Sequence, residues 1–360
     1  MTSAKPVGFA IVGTGHIARV HAAAIAAVSG AKLRAVFSRN AATANAIGRD
    51  IGVETADSLE AILCRPDVDV VCITTPSGTH QEFAVRSLAA GKHVLCEKPL
   101  EISTARIDAM IAAAERVNRI LAVVFQMRFG SGAQALKRAM DSRRFGRLAL
   151  CSAYLKWWRD ESYYSSSKWK GTLELDGGGA LMNQGIHAVD LLQWLVGLPT
   201  QVSAQVRTRT HSIEAEDTVS AVLEYADGAI GVVEAATSCF KGMPLRIEIA
   251  GDRGFAVLEN DRITQWNFAD SQPDDASIRD PDASVFVGGS SNPAAIGIEG
   301  HRLIIADLKH AILSGRPPAV SGRDARNAVA LIEAIYRSAH SGTSVTVGDC
   351  TVTEPTRVQL

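Results

Sequence analysis

The first third of the chain alternates short, nearly continuous apolar runs with segments of helical periodicity. The apolar runs predict strands at residues 7–12, 33–37, 68–74, 94–96 and 121–125. The periodic segments predict helices near residues 17–28, 40–50, 58–63, 79–90 and 103–117. Buried strands separated by helices are typical of a parallel sheet covered on both faces. The pattern therefore predicts an α/β fold for this part of the chain.

After about residue 128 the pattern changes to alternating apolar and polar positions. Strands are predicted at residues 148–156, 202–208, 218–225, 229–236, 245–250, 255–259 and 263–268. Asp227-Gly228, between two of them, is a hairpin signal. We expect an α+β region with an open, largely antiparallel sheet and helices on one face. A polar stretch at 270–297 predicts a long loop, and two helices are predicted near 299–313 and 323–340.

The first predicted strand ends in a glycine turn, Gly13-Thr14-Gly15-His16-Ile17-Ala18. Gly13 allows the tight turn, Gly15 lets the main chain approach pyrophosphate oxygens, and the next helix points its N-terminus at that anion. A purely structural turn is the alternative, but the strand before it and the helix after it favour nucleotide binding. We predict a Rossmann dinucleotide-binding domain at residues 1–128. Residues 129–360 would bind substrate and support oligomerisation, and the helix near 323–340 could pack back on the first domain.

Composition excludes several classes of function. The 37 basic and 38 acidic residues nearly balance, so nucleic acid and anionic membranes are not expected partners. There is no signal-peptide pattern and no apolar run of membrane-spanning length, which predicts a cytoplasmic protein. The six cysteines form no metal-ligand spacing, so we predict reduced thiols and no metal.

Two further segments leave predicted strands of the first domain, where ligands of such sheets bind. They are Thr74-Thr75-Pro76-Ser77-Gly78-Thr79-His80 and Cys96-Glu97-Lys98-Pro99. Lys98 could bind a substrate hydroxyl and stabilise the alkoxide that forms as hydride leaves. A solvated surface lysine is the alternative. The predicted cofactor contacts outside the adenosine end are Gly13, Thr14, Gly15, His16, Ile17, Thr75, Pro76, His80, Glu97, Lys98 and Gln126.

The second domain contains a glycine-led helix from Ala180 to Asp190. Asn183 and His187 are one helical turn apart and are predicted to share a face. His187 could shuttle the hydroxyl proton near neutral pH, or it could be a core histidine bonded to a carbonyl. Asp190 is predicted to be a structural hydrogen-bonding residue.

Together these motifs resemble the glucose-fructose oxidoreductase / inositol dehydrogenase / MocA (Gfo/Idh/MocA) family over nearly the whole chain. The resemblance implies that Lys98 and His187 are catalytic. Many members have aspartate where this chain has Asn183. Because asparagine cannot act as a base, proton transfer would depend on His187 with Lys98 assisting. Asn183 would only hydrogen-bond substrate or orient the ring.

Cofactor choice is predicted from the end of the second strand. NAD sites usually place an acid here, whereas this chain has Ser38 and Arg39, which suit the 2′-phosphate of NADP. The alternative is that Arg39 stacks on adenine and NAD is used. An aromatic, basic stretch between residues 154 and 172 would shape a sugar pocket or, alternatively, an interface. The predicted substrate contacts are Asn183, Lys156, Trp158, Tyr164, Trp169 and Lys170.

We predict an NAD(P)-dependent dehydrogenase or reductase that acts on a ring hydroxyl of a sugar, sugar derivative or cyclitol. Two alternatives are a glycosidase that retains NAD and passes through a 3-keto sugar, and a non-catalytic sugar or nucleotide sensor. The resemblance also implies a homodimer or homotetramer.

Overall fold

The computed structural model describes residues 5–279 and 297–348, and its contacts divide the chain into two units. The first unit comprises Met1–Gln126 and Ile296–Arg326. The second comprises Met127–Ala295 and Asn327–Leu360. The predicted division after residue 128 left residues 296–326 in the second domain, whereas the structure returns this segment to the first unit.

The first unit contains a six-stranded parallel sheet in the order β3-β2-β1-β4-β5-β6, as predicted for a Rossmann fold. Its elements in chain order are β1 Val7–Val12, α1 His16–Ala26, β2 Ala31–Phe37, α2 Ala41–Ile51, β3 Glu54–Thr55, α3 Leu59–Leu63, β4 Val70–Ile73, α4 His80–Ala89, β5 His93–Cys96, α5 Thr104–Arg116 and β6 Leu121–Val123. The short strand β3 had no apolar run to signal it. The five longer strands were all predicted from their apolar runs. In the structure, β1 and β4 are buried at every residue.

Local capping explains where several helices of this unit begin and end. The Asn40 carboxamide oxygen accepts the amides of Ala42 and Thr43 at the start of α2. Gly52 ends the same helix in the left-handed region, at φ +68°. Ser103 accepts the Arg106 amide at the start of α5. These contacts account for the start of α2 and α5 and for the end of α2.

The second unit contains a mixed, mostly antiparallel eight-stranded sheet in the order β13-β12-β11-β7-β10-β9-β8-β14. Strands β7 and β10 pair in parallel, and the other neighbours pair antiparallel. The elements between the two parts of the first unit are α6 Ser131–Asp141, β7 Leu148–Lys156, α7 Glu161–Ser165, α8 Ile186–Val196, β8 Gln201–Arg207, β9 Thr218–Glu224, β10 Ile230–Ala236, β11 Arg246–Gly251, β12 Gly254–Glu259, β13 Arg262–Phe268 and α9 Asp275–Arg279. After them come α10 Glu299–Ser314, α11 Gly322–Ser341 and β14 Val345–Thr346. Asp227-Gly228 joins β9 to β10 as a hairpin, as predicted.

Two parts of the second unit differ from the sequence expectation. Helix α6 was not predicted, and the Asp261 carboxylate caps it by accepting the amides of Ser131 and Gly132. The predicted loop at 270–297 is wrong in its first part, because α9 forms there. Asp275 of α9 pairs with Arg144 at 2.7 Å and accepts the indole N–H of Trp266 at 2.7 Å. Residues 280–296 of that loop lie outside the described residues.

Helix α10 lies in the first unit and packs against α1. The Lys309 ammonium donates to the Ser29 carbonyl at 2.7 Å, just beyond α1. Helix α11 begins in the same unit, where Arg323 and Arg326 pair with Glu115 and Asp108 of α5. From Asn327 onward α11 belongs to the second unit.

Within residues 5–279 and 297–348, no helix is both long and apolar enough to cross a membrane. The described cysteines are free thiols, namely Cys64, Cys72, Cys96, Cys151 and Cys239. Cys350 lies outside the described residues.

Candidate active site

The glycine turn of the first unit has the geometry that a phosphate site requires. Gly13 has φ +106°, and a Cβ there would lie 2.6 Å from the Thr74 carbonyl oxygen. A Cβ on Gly15 would meet no atom of the described residues within 4 Å. Helix α1 begins at His16 without a side-chain cap from Gly15. Open space beside Gly15 at an uncapped helix N-terminus is where an anion would be stabilised.

His80 joins two of the predicted cofactor segments. Its Nε2 lies 2.8 Å from the Thr75 carbonyl oxygen, and its Nδ1 lies 2.9 Å from that of Pro99 and 3.2 Å from that of Leu100. The side chain is buried. The imidazole is thus engaged by main chain, and it fixes the loop after β4 against the loop after β5.

The Glu97 carboxylate points into the first unit. Its Oε1 lies 2.8 Å from His21 Nε2 and 3.2 Å from His301 Nε2. Its Oε2 accepts the amide of Lys98 at 3.2 Å. Although burial disfavours the charge, the two imidazoles hold the pKa of Glu97 well below its usual range. Sequence reasoning missed both histidines.

Lys98 is half-buried and lies two residues beyond the carboxyl end of β5. Gln126, the last residue of the unit's first segment, has a buried Oε1 without a hydrogen-bond partner in the described part of the chain. Because buried acceptors are normally paired, this atom is suited to a donor from a ligand.

A cavity of about 330 Å³ lies beyond the carboxyl end of β2. Ser38 and Arg39, the two residues predicted to contact the adenosine end of a cofactor, line it. The Arg39 guanidinium is exposed and 5.8 Å from the centre of the Phe83 ring. Acidic side chains also line the cavity, namely Asp57, Glu60 and Glu82. Positive and negative groups therefore both contribute to its potential.

In the second unit, the helix predicted from Ala180 to Asp190 is not a single α-helix. Residues Ala180–Gly185 form a π-helical turn, and α8 begins at Ile186. The buried Glu216 carboxylate accepts the amides of Gly179 and Leu181, which directs the start of this turn. Asn183 and His187 were predicted to share a face one α-helical turn apart. Because a π-helical turn changes the angular spacing of side chains, that simple relation does not hold here. His187 lies in the first turn of α8 and is 6% exposed.

Asn183 belongs to a buried polar network. Its amide nitrogen donates to Asp176 at 2.6 Å, and its carbonyl oxygen accepts from Gln184 at 3.0 Å. Gln184 also donates to the Tyr163 hydroxyl and accepts from the Arg159 guanidinium. Asn183 is thus oriented before any ligand binds.

The predicted sugar-contacting residues are not all brought together. Lys170 lies 3.9 Å above the Tyr163 ring, and burial lowers its pKa. Trp169 is half-buried one residue before it. The Tyr164 hydroxyl is buried at 2.7 Å from the Thr237 hydroxyl. Lys156 instead pairs with Glu234 at 2.5 Å, on the sheet face opposite the buried β7 side chains.

His211 is a buried histidine that the sequence analysis did not select, next to two predicted residues. Its ring centre is 4.8 Å from that of Tyr164 and 6.1 Å from that of Trp158. Nδ1 faces Asp217 at 3.0 Å, and Nε2 faces the Arg159 carbonyl oxygen at 2.8 Å. Burial opposes the charged form, but these two acceptors outweigh it and raise the pKa of His211. Asp217 and the Arg159 carbonyl therefore favour the protonated form of the His211 ring.

Both units of the chain match known proteins. Residues 7–125 match the oxidoreductase family with an NAD-binding Rossmann fold, and residues 133–257 match the GFO/IDH/MocA C-terminal domain. Inositol 2-dehydrogenase of Rhizobium meliloti is 30% identical over 92% of this chain and 96% of its own. Levoglucosan dehydrogenase of Pseudarthrobacter phenanthrenivorans is 27% identical over 75% of this chain and 78% of its own. The WlbA dehydrogenase of Bordetella pertussis, solved with NADH and UDP-GlcNAcA, is 31% identical with a TM-score of 0.87, covering 96% of this chain and 99% of that one.

Proposed function

The chain belongs to the Gfo/Idh/MocA family of NAD(P)-dependent oxidoreductases that act on sugars and cyclitols, and we propose that Lys98 and His187 are its catalytic residues. The reaction transfers hydride between a ring CH–OH carbon and the nicotinamide. The observation that carries the assignment is the position of Lys98 after β5, in the sheet whose β1 leads into the glycine turn. Ligands of such sheets bind beyond the carboxyl ends of the strands.

The cofactor fits three features of the first unit. Gly15 leaves open space at the uncapped N-terminus of α1, and the cavity beyond β2 would hold the adenosine end. The orphaned Gln126 Oε1 would accept a ligand N–H. A nicotinamide held there would supply the hydride acceptor for oxidation of the ring carbon.

The protein's side chains would handle the proton and the charge. The Lys98 ammonium would bind the substrate hydroxyl and stabilise the alkoxide that develops on its oxygen as the C–H bond breaks. His187 would accept the hydroxyl proton and pass it to water, leaving a ketone. Asn183, fixed by Asp176, would hydrogen-bond the substrate but cannot take a proton.

Replacing Lys98 with alanine tests this assignment. Turnover should fall by roughly 10²–10⁴-fold, while cofactor binding measured by fluorescence titration is retained. Lys32→Ala, which removes an exposed lysine from β2, is the matched control and should be unaffected. Near-normal activity of Lys98→Ala would remove Lys98 from the mechanism.

The substrate class follows from the chemistry that the relatives share. Two of these relatives are named for inositol and levoglucosan, and the third was solved with UDP-GlcNAcA. All three compounds present secondary hydroxyls on a six-membered ring. We propose a pyranose, a pyranose derivative or a cyclitol. A screen of reduced-cofactor absorbance over inositols, free sugars and nucleotide-linked sugars would identify it. An NAD-retaining glycosidase would instead release an aglycone without net cofactor reduction, and a sensor would bind without turnover.

For the cofactor, we propose that Ser38 and Arg39 favour NADP while allowing NAD. Arg39 makes no ion pair with any described residue and is available for a 2′-phosphate. The carboxylates of Asp57 and Glu82 line the same cavity and would repel the 2′-phosphate. The preference for NADP over NAD should therefore be small. The ratio of kcat/KM with the two cofactors measures it.

We also propose a homo-oligomer in the cytoplasm. The sheet face opposite α8 exposes a contiguous apolar group, in which Leu150, Val222 and Ile230 are each about half exposed. Monomers rarely expose such patches. Free thiols in the described part of the chain suit a reducing compartment. Light scattering on the purified protein tests the assembly.

A further inference from the structure

Three buried side chains meet at Glu97 in the interior of the first unit. His21 comes from α1, His301 from α10 and Glu97 from the residue after β5. Their exposed fractions are 0%, 2% and 7%. Both imidazoles direct Nε2 at one carboxylate oxygen.

The surroundings of the rings determine where their protons are. Nδ1 of His21 and Nδ1 of His301 are buried and have no hydrogen-bond partner among residues 5–279 and 297–348. With protons on Nε2, both rings donate to the Glu97 carboxylate, and each Nδ1 is a bare acceptor. The opposite tautomer would bury two unpaired N–H groups and place two lone pairs against a carboxylate, which costs more. Two neutral, Nε2-protonated imidazoles are therefore the favoured state.

A metal ion is the competing interpretation, because the three ligand atoms lie within 4.8 Å of one another. Two histidines and a glutamate form a donor set that zinc uses. Metal-bound histidines, however, normally donate the other ring N–H to an acceptor. The described residues supply no such acceptor to either Nδ1. The geometry therefore favours protons over a metal at this cluster.

The second oxygen of the same carboxylate leads to the catalytic segment. Glu97 Oε2 accepts the main-chain amide of Lys98 at 3.2 Å. We propose that Glu97, fixed by His21 and His301, is a positioning residue that holds the main chain of Lys98 at the angle from which its side chain reaches substrate. Glu97 was predicted as a cofactor contact, but its carboxylate is occupied by these three donors. The proposal rests on the assignment of Lys98 as catalytic.

Replacing His301, which donates to Glu97 from α10, tests the proposal without changing Glu97 or Lys98. His301→Leu removes one donor to Glu97, and a lysine displaced by about 1 Å should lose 10- to 100-fold in kcat. The KM for the cofactor should stay within about twofold, since the phosphate turn and the cavity beyond β2 are untouched. His301→Gln, whose amide can donate from near the Nε2 position, should restore most of kcat. His310→Gln, an exposed histidine of the same helix, is the matched control.

A second measurement holds even if His301→Leu folds poorly. Ring ¹⁵N spectra of the wild-type protein should show His21 and His301 with protonated Nε2 and bare Nδ1. Glu97→Gln should alter both signals, because an amide cannot accept two ring protons and the Lys98 amide at once. Nδ1-protonated rings, or zinc in the purified protein with activity lost on chelation, would overturn the proposal.

The outcomes separate this inference from the proposed function. If Lys98→Ala is inactive while His301→Leu keeps the wild-type kcat, Lys98 is catalytic and the positioning role of Glu97 is wrong. If Lys98→Ala is active, the catalytic assignment itself fails. If His301→Leu raises the KM for the cofactor and leaves kcat unchanged, Glu97 supports cofactor binding and does not position Lys98.

Discussion

Gly15→Ala tests whether a cofactor pyrophosphate lies against the N-terminus of α1. Gly15 has φ −72° and ψ −177°, an extended conformation that alanine adopts without strain. The added methyl group would meet no described atom within 4 Å. Exchanging glycine for alanine at an N-cap should cost about 1 kcal/mol or less in the free energy of unfolding. The protein without cofactor should therefore melt close to the wild type.

Cofactor affinity should respond very differently. The methyl group would occupy the space through which pyrophosphate oxygens reach the first amides of α1. Loss of that approach should weaken NAD(P) binding at least tenfold, or about 1.4 kcal/mol. Calorimetric titration of both cofactors, together with thermal melts, measures the two effects separately.

Gly13→Ala provides the matched contrast. Its φ of +106° is in the region that disfavours alanine, and the new Cβ would lie 2.6 Å from the Thr74 carbonyl oxygen. Strain of about 1–3 kcal/mol, with the steric conflict added, should lower the melting temperature even without cofactor. Wild-type cofactor affinity in Gly15→Ala would refute the placement of the pyrophosphate at this helix.

Substitutions of Arg39, His187 and His211 test the cofactor preference, the proton transfer and the pH dependence of stability. Arg39→Asp should raise the KM for NADP far more than that for NAD, through loss of a phosphate partner and like-charge repulsion; a wild type that already prefers NAD strongly would contradict this interpretation of Arg39. His187→Asn should lower turnover by roughly 10²–10⁴-fold and flatten the rise of the oxidation rate near neutral pH; an unchanged pH profile would assign the proton to another group. His211, whose folded pKa is raised, stabilises the protein below its unfolded pKa of about 6.5, and this stabilisation should be lost as pH rises through the folded value. Melting temperatures from pH 6 to 9 should thus fall less in His211→Gln than in the wild type, and parallel curves would show that the His211–Asp217 contact does not titrate in this range.

The sequence predicted the elements whose burial is local and periodic. Strands β1 and β4 are buried at every residue, and strand β9 alternates buried and exposed positions, so their patterns were sufficient. Helix α6 was missed although its buried positions have helical spacing. Its cap, the Asp261 carboxylate, is 130 positions away from Ser131. No window of neighbouring residues contains that information.

In the candidate site, too, contacts between residues far apart in the sequence could not be predicted. The glycine turn, Lys98 and His187 could be selected as candidates because each belongs to a short motif. The partners of Glu97 are 76 and 204 positions away, so only the folded chain reveals them. The π-helical turn at Ala180–Gly185 also depends on a distant carboxylate, that of Glu216. Candidate catalytic side chains could be selected here more readily than the buried side chains that contact them.

The return of residues Ile296–Arg326 to the first unit has a consequence for biosynthesis. A ribosome finishes residues Met1–Gln126 long before it reaches α10, so the nascent first unit has an uncovered face on α1 and lacks His301. Domains generally fold in order as they are synthesised, but this one cannot be completed until the intervening unit has been made. A gene fragment that ends at Gln126 would encode every strand of the parallel sheet and still lack part of its core. Because the second unit resumes at Asn327, its exchange between relatives would require three junctions in the gene, after residues 126, 295 and 326.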